Sequence, residues 1–170
     1  MKNIILIGMP GCGKSTLGVL LAKTLGMSFI DTDLIIQQKT GRLLHKIVQD
    51  DGKEIFLDIE RDAILSLGKV QNTVIATGGS AVLRKEAMEY LKAIGTVVFL
   101  KLDFGTVEKR IKNIKTRGIA FAKGESLRDI YEQRMPYYEK YSDITVDCNL
   151  GSCENNLEVI LGMLDVSYGE

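Results

Sequence analysis

Gly8-Met9-Pro10-Gly11-Cys12-Gly13-Lys14-Ser15 fits the spacing G-x-x-x-x-G-K-[ST] without a gap. The chemistry such a run serves is phosphate binding. Its glycines let the backbone curl so that successive N–H groups turn inward toward phosphate oxygens. A helix that opens near Lys14 adds the positive end of its dipole at the same place. Residues Gly11, Cys12, Gly13, Lys14, Ser15 and Thr16 are therefore expected to cradle the phosphates of a nucleotide. Lys14 would reach the outer phosphates and Ser15 would offer its hydroxyl to Mg²⁺, so ATP and Mg²⁺ are the expected cofactors. The bland alternative is a glycine turn between a strand and a helix. The apolar run before the loop and the helical pattern after it favour the phosphate site.

Asp31 and Asp33 flank Thr32 at the end of a second short apolar run. In an extended segment they would face the same side. One could orient Mg²⁺ and its waters while the other meets the hydroxyl of a phosphate acceptor. Phosphoryl transfer asks for positioning more than for base strength, which suits a carboxylate. The competing role is a helix cap, because Asp33 precedes Leu34-Ile35-Ile36. Arg134 falls on the stripe Leu127, Ile130, Tyr131, Arg134, Tyr138 and so points inward. A buried guanidinium needs an anion, either an internal carboxylate or a substrate carboxylate held bidentately. Arg117 lies in a basic, loop-like segment over residues 115–125. It could close over the phosphates and exclude water, or it could be a solvated loop charge.

The elements that must hold these residues alternate strand and helix. Ile4 to Ile7 is a short continuous apolar run, the mark of a strand buried on both faces. A helix is expected from about Lys14 to Leu25, closed by Gly26, then a strand over Ser28 to Ile30. Helical pieces surround Gly41, and a longer helix spans Lys53 to Leu67. Thr73 to Ala76 forms a third strand, a helix covers about Lys85 to Leu91, and a fourth strand runs from Thr96 to Leu100. Asp103 can cap a helix that reaches about Ile114. Ser126 and Asp129 resemble a capping box for the next helix, which Pro136 should break or kink. A fifth strand over Ile144 to Val146 precedes a last helix with the stripe Leu157, Ile160, Leu161, Leu164. This order predicts an α/β fold with a parallel sheet covered on both faces, its ligands at the carboxyl ends of the strands.

The 170 residues suit one domain, here 1–170. With 22 basic and 22 acidic residues the net charge is zero, which offers no footprint for nucleic acid or an anionic membrane. No apolar run reaches the roughly 20 residues of a membrane span, and the N-terminal apolar stretch is too short for a signal peptide. Cys12, Cys148 and Cys153 read as reduced thiols in a cytoplasm, and nothing demands more than a monomer. His45 lies in a helical pattern and reads as a surface residue.

Over nearly its whole length the chain resembles the shikimate kinase family. The resemblance rests on Gly8 to Thr16, Asp31-Thr32-Asp33, Phe56…Glu60, Thr77-Gly78-Gly79, Arg110, Arg117 and Arg134-Met135-Pro136-Tyr137-Tyr138. It implies a five-stranded P-loop fold in the order 2-3-1-4-5, with a lid at about 112–125. It implies phosphorylation of a small hydroxy acid by ATP, with shikimate, a precursor of aromatic amino acids, as the acceptor. By matched position Asp33 would hold the acceptor hydroxyl, and Asp31 would support Mg²⁺ with Ser15. Gly79, beside Gly78, would lend its N–H to the substrate, and Arg134 would grip its carboxylate. Arg117 would be the lid arginine, Arg110 would lie along the adenine, and the loop near Cys148-Asn149 would close that pocket. The chain departs from the pattern at Leu57, where an arginine is usual, at Ser80, where a third glycine is usual, and in the lid after Arg117. Arg61, one turn beyond Leu57, is a candidate substitute for the missing arginine, against a plainer role as a surface partner of Asp58 or Glu60. The rivals are a kinase of the same build for another polyol or sugar acid, and a non-catalytic ATP-sensing module. The second would have no use for Asp33 or an inward Arg134.

Overall fold

The computed structural model describes residues 2–112, 119 and 124–165 of the chain. Strands and helices alternate as β1 (Asn3–Ile7), α1 (Lys14–Leu25), β2 (Ser28–Asp31), α2 (Thr32–Thr40), α3 (Leu44–Asp51), α4 (Lys53–Leu65), β3 (Thr73–Ala76), α5 (Lys85–Ile94), β4 (Gly95–Lys101), α6 (Phe104–Lys112), α7 (Leu127–Tyr141), β5 (Ile144–Asp147) and α8 (Cys153–Met163). A short 3₁₀ turn, Ala81–Leu83, joins β3 to α5. The five strands pair in parallel in the expected order, β2-β3-β1-β4-β5. Every residue of β1 and β3 is buried, so both faces of the sheet's centre are covered. That explains their unbroken apolar runs: neither face has a reason to be polar.

The register aligns the carboxyl ends. Leu6 pairs with Ala76 and with Val98, so the chain leaves β1 at Gly8 and β3 at Thr77 at the same edge. Asp31, the last residue of β2, pairs with Ala76 and arrives there too. The glycine loop, the Asp31–Asp33 turn and the Thr77–Ser80 loop are brought together by strand pairing alone. The main core fills the space around the sheet. A separate apolar cluster of Ile36, Ile47, Phe56, Leu57 and Ala63 ties α2, α3 and α4 into one unit beside that edge.

Several boundaries differ from the sequence expectation. Helix α4 ends at Leu65, two residues early, where the Ser66 N–H closes the last turn onto Asp62 and Ile64 carbonyls. Helix α5 continues to Ile94 and runs directly into β4. Pro136 does not break α7, which continues through it to Tyr141. The capping box at Ser126 and Asp129 is present. Asp31 and Asp33 do not share an extended segment. Asp31 is the N-cap of α2, its Oδ1 accepting from Asp33 N–H at 2.9 Å, and Asp33 lies in the first helical turn. The cap is thus Asp31 and not Asp33, because α2 follows β2 directly and starts at Thr32. The lid over 112–125, with Arg117, lies almost entirely outside the described residues.

At the opposite edge Asn3 makes a connection that hydrophobic patterning does not reveal. It is buried, its Nδ2 donates to Val70 and Ile94 carbonyls at 2.8 and 3.0 Å, and its Oδ1 accepts from Thr73 N–H at 3.0 Å. One amide thereby satisfies loose backbone groups at the start of β3 and the end of α5. Replacing Asn3 with alanine strands the buried Thr73 N–H and the partly buried carbonyls of Val70 and Ile94. Urea denaturation should show Asn3→Ala destabilised by about 2–4 kcal/mol with an unchanged m-value.

Candidate functional site

An open cavity of about 240 Å³ lies at the carboxyl edge of the sheet. Its walls come from the glycine loop and α1, from the β2–α2 turn, from α4 and from the loop after β3. These are the loops that the sequence marked for chemistry.

On one side the glycine loop takes the left-handed backbone its glycines permit, with φ of 80° at Gly11 and 92° at Gly13. Gly13 is also the N-cap of α1 and supplies no side chain to the helix's first N–H groups. Those groups and the dipole are left for an anion. Lys14 is nearly buried, and its Nζ donates to the carbonyls of Gly8 and Met9 at 2.8 and 3.0 Å. The ammonium is thus stationed inside the loop, held by neutral carbonyls rather than by a carboxylate that would compete with phosphate. The Cys12 thiol turns into the protein, 3.6 Å from Lys14 Nζ, so only the backbone of Cys12 can face a ligand. Thr16 is exposed and lines the cavity. Arg110, from α6, donates to the Gly11 carbonyl at 3.2 Å and braces the outer side of the loop. Cys148 is buried, and Asn149 accepts from Asp103 N–H at 2.8 Å, which fixes the β5–α8 loop near the start of α6.

Ser15 Oγ donates to Asp31 Oδ2 at 2.7 Å. The N-cap geometry of Asp31 thus serves a second purpose: one carboxylate oxygen starts α2 and the other turns to Ser15. Two hard oxygen donors beside a phosphate loop fit a magnesium ion, which takes few protein ligands and completes its shell with phosphates and water. Among the described residues no cluster of three or more His, Cys, Asp or Glu suggests a denser metal cage.

The other side of the cavity is the loop Thr77–Ser80, pinned by neighbours. Gly78 N–H donates to the buried Thr32 Oγ1 at 3.2 Å, clasping the β2–α2 turn to β3. A Cβ on Gly78 would overlap Glu60 Oε1 and stand 2.9 Å from Asp33 Oδ1. Both carboxylates therefore crowd the same side of Gly78, and a side chain there would have to push them aside. A Cβ on Gly79 would strike the Pro10 ring at 2.7 Å and lie 3.2 Å from Arg134 Nη1. Tyr138 Oη donates to the Gly79 carbonyl at 2.5 Å while its ring stacks on Phe99, and burial pushes its phenol well above the ordinary range.

Arg134 is 1% exposed, as its place on the inward stripe of α7 required. It stands against Gly79 and is not among the residues lining the cavity. Glu60 is the buried charge that the sequence pattern did not assign a role. It is 1% exposed, and Ser80 Oγ donates to its Oε2 at 2.6 Å. Its Oε1 is buried with no hydrogen-bond partner among the described residues. Burial raises its carboxyl to about 7, assisted by Asp33 and opposed by the Ser80 hydrogen bond, Arg134 and Lys14. The signal was available: Glu60 falls four residues after Phe56 and four before Ile64, on the apolar stripe of α4.

Arg61 does not replace the arginine missing at Leu57. Its guanidinium pairs with Asp62 at 2.9 Å and Asp58 at 3.1 Å, at the protein surface. Leu57 packs into the apolar cluster of α2, α3 and α4. Of the sequence-assigned site residues, Gly11 to Thr16, Asp31, Asp33, Gly78, Gly79, Arg110 and Arg134 gather at this edge, and Arg117 lies outside the described residues.

A family model described as "Shikimate kinase" matches residues 10–165. A shikimate kinase of Thermodesulfovibrio yellowstonii is 38% identical over 149 residues, covering 86% of each chain. One of Haemophilus influenzae is 36% identical over 171 residues, 99% of this chain and 95% of that one. Among solved structures, a shikimate kinase from Acinetobacter baumannii in complex with shikimate superposes with a TM-score of 0.88 at 31% identity, covering 96% of this chain and 93% of the other.

The stationing of Lys14 inside the loop yields a direct expectation. Lys14→Ala removes the charge that would follow the transferred phosphate, and turnover should fall at least about 100-fold. Rate measurements on the folded variant check this, and wild-type-like turnover would remove the loop from the chemistry.

Proposed function

The chain belongs to the shikimate kinase family, and from that membership we propose that it transfers the γ-phosphate of ATP to shikimate, giving shikimate 3-phosphate for aromatic amino-acid synthesis. The observation that carries this is the meeting, in one cavity, of Lys14 and Ser15 on the phosphate side with Asp33 on the acceptor side. In-line transfer needs such facing groups and little else.

We assign the roles as follows. The N–H groups of Gly11 to Thr16 hold the phosphates, with Lys14 following the charge as it moves. Ser15 and Asp31 hold Mg²⁺, which would neutralise phosphate charge when bound. Asp33 receives the acceptor hydroxyl as hydrogen-bond acceptor and base. Gly78 N–H is occupied by Thr32, so Gly79 is the backbone donor left to the substrate. Arg134, whose Nη1 abuts Gly79, meets the substrate carboxylate. Arg110 lies along the adenine, beside the loop it braces. On sequence alone, Arg117 stabilises the transferred phosphate from a lid. The cavity is lined by loops of one kinase domain, and we take that domain to act as a monomer. No helix among the described residues is long and apolar enough to cross a membrane. We place the enzyme in the cytoplasm, and its zero net charge gives it no use for nucleic acid or a membrane surface.

Coupled ADP release tests the assignment. ATP with shikimate should give turnover that requires added Mg²⁺ or Mn²⁺ and stops with chelator. Asp33→Asn should lower kcat by about 100-fold or more while the protein still binds nucleotide. No ADP release with shikimate, alongside release with another hydroxy compound, would overturn the acceptor and leave only a kinase. Activity that survives exhaustive chelation would overturn the metal role.

A further inference from the structure

Ser80 occupies a buried position on the acceptor loop, at the head of the 3₁₀ turn. Its backbone is fixed, the carbonyl accepting from Leu83 N–H at 3.0 Å. Its hydroxyl reaches across to α4 and donates to Glu60 Oε2 at 2.6 Å, wholly buried. A carboxylate is planar and rigid, so a bond that holds one oxygen sets the direction of the other. The other, Oε1, is buried without a partner among the described residues and lies beside Asp33 Oδ1 at Gly78. Both residues line the cavity. A native interior leaves a carboxylate oxygen without a donor only at a cost, and a ligand hydroxyl removes that cost.

We propose that Ser80 is a positioning residue of the acceptor site: its hydroxyl holds Glu60 so that Oε1 accepts a hydrogen bond from an acceptor hydroxyl adjacent to the one presented to Asp33. The site then reads a vicinal diol with two carboxylates, one from α2 and one from α4. Leu57 gives this arrangement its importance in this chain. The position three residues before Glu60 supplies no guanidinium, and Leu57 packs away into the apolar cluster. Among the described residues Ser80 is the hydrogen-bond donor to Glu60. The charged groups acting on Glu60 are Asp33 from α2, Lys14 from α1 and Arg134 from α7. The first disfavours and the other two favour the ionised form that can accept.

The proposal rests on shikimate being the acceptor, and steady-state kinetics with shikimate and ATP as varied substrates tests the two separately. Ser80→Ala should raise the shikimate KM at least about tenfold, with the ATP KM unchanged and the loss in kcat/KM carried mainly by KM. Ser80→Thr, which keeps the hydroxyl, should recover most of the affinity. In the wild type the shikimate KM should climb as pH falls through about 7, as Glu60 takes up a proton. In Ser80→Ala that climb should begin at higher pH, because the bond that favours the carboxylate is gone. Glu60→Gln, which retains an acceptor for Ser80 but turns an amide donor to the cavity, should raise the KM and abolish that pH dependence. It decides the matter if Ser80→Ala does not fold. A wild-type shikimate KM and pH profile in Ser80→Ala, or in Glu60→Gln, would overturn the positioning role while leaving the kinase assignment intact. Failure of the wild type to use shikimate would overturn the acceptor assignment, and this proposal with it.

Discussion

A protein interior admits a charge readily only when an opposite charge and hydrogen bonds accompany it, and two ionisable side chains lie beneath the loop after β3. Glu60 and Arg134 are each 1% exposed and come from helices on different sides of the cavity. Between them runs the loop Thr77–Ser80, tied to Glu60 through Ser80 and to α7 through Tyr138 at Gly79. Both groups lose their cover if the loop moves away, and a side chain at Gly78 or Gly79 would displace Glu60 and Asp33 or the Pro10 ring. The paired glycines, the buried charges and the shape of the cavity are one constraint seen from three directions.

The phosphate side obeys a different logic. In the proposed site the ligand's charge would be met by backbone N–H groups, a helix terminus and a single ammonium. The Lys14 ammonium donates its hydrogen bonds to the carbonyls of Gly8 and Met9. Asp31 stands beside Ser15, where a hard cation would reconcile its charge with phosphate. The parallel sheet makes the two halves meet, because pairing of β1 with β3 delivers the glycine loop and the acceptor loop at the same height.

The glycine loop and the sheet order were legible because they are local: a gapless motif, and apolar runs that report burial on both faces. Arg134 was legible because a charge on an apolar helical stripe is anomalous. Glu60 carried the same signal in α4 but was legible only as part of a family pattern. What escaped depends on contacts distant in sequence. No periodicity announces that Asn3 bonds to residues about 70 and 90 positions away, or that Ser80 reaches back 20 positions to α4. The local geometry of Asp31 and Asp33 was misread at a boundary: α2 starts at Thr32, two residues before an Asp33 cap would start it, so Asp31 is the cap and Asp33 lies in the helix. Arg61 failed as a substitute because two aspartates on its own helix, Asp58 and Asp62, are nearer than the cavity.

With Leu57 in the apolar cluster and Arg61 paired at the surface, the proposed grip on the substrate's carboxylate falls to Arg134. The most direct test is the ratio of kcat/KM for shikimate to that for its carboxamide, which keeps every hydroxyl and removes only the charge. A hydrogen bond between charged groups contributes about 1.5–3 kcal/mol. The account therefore predicts that the carboxamide loses about 10- to 150-fold. A carboxamide used as well as shikimate would contradict it, because the acceptor site would then be reading hydroxyls alone.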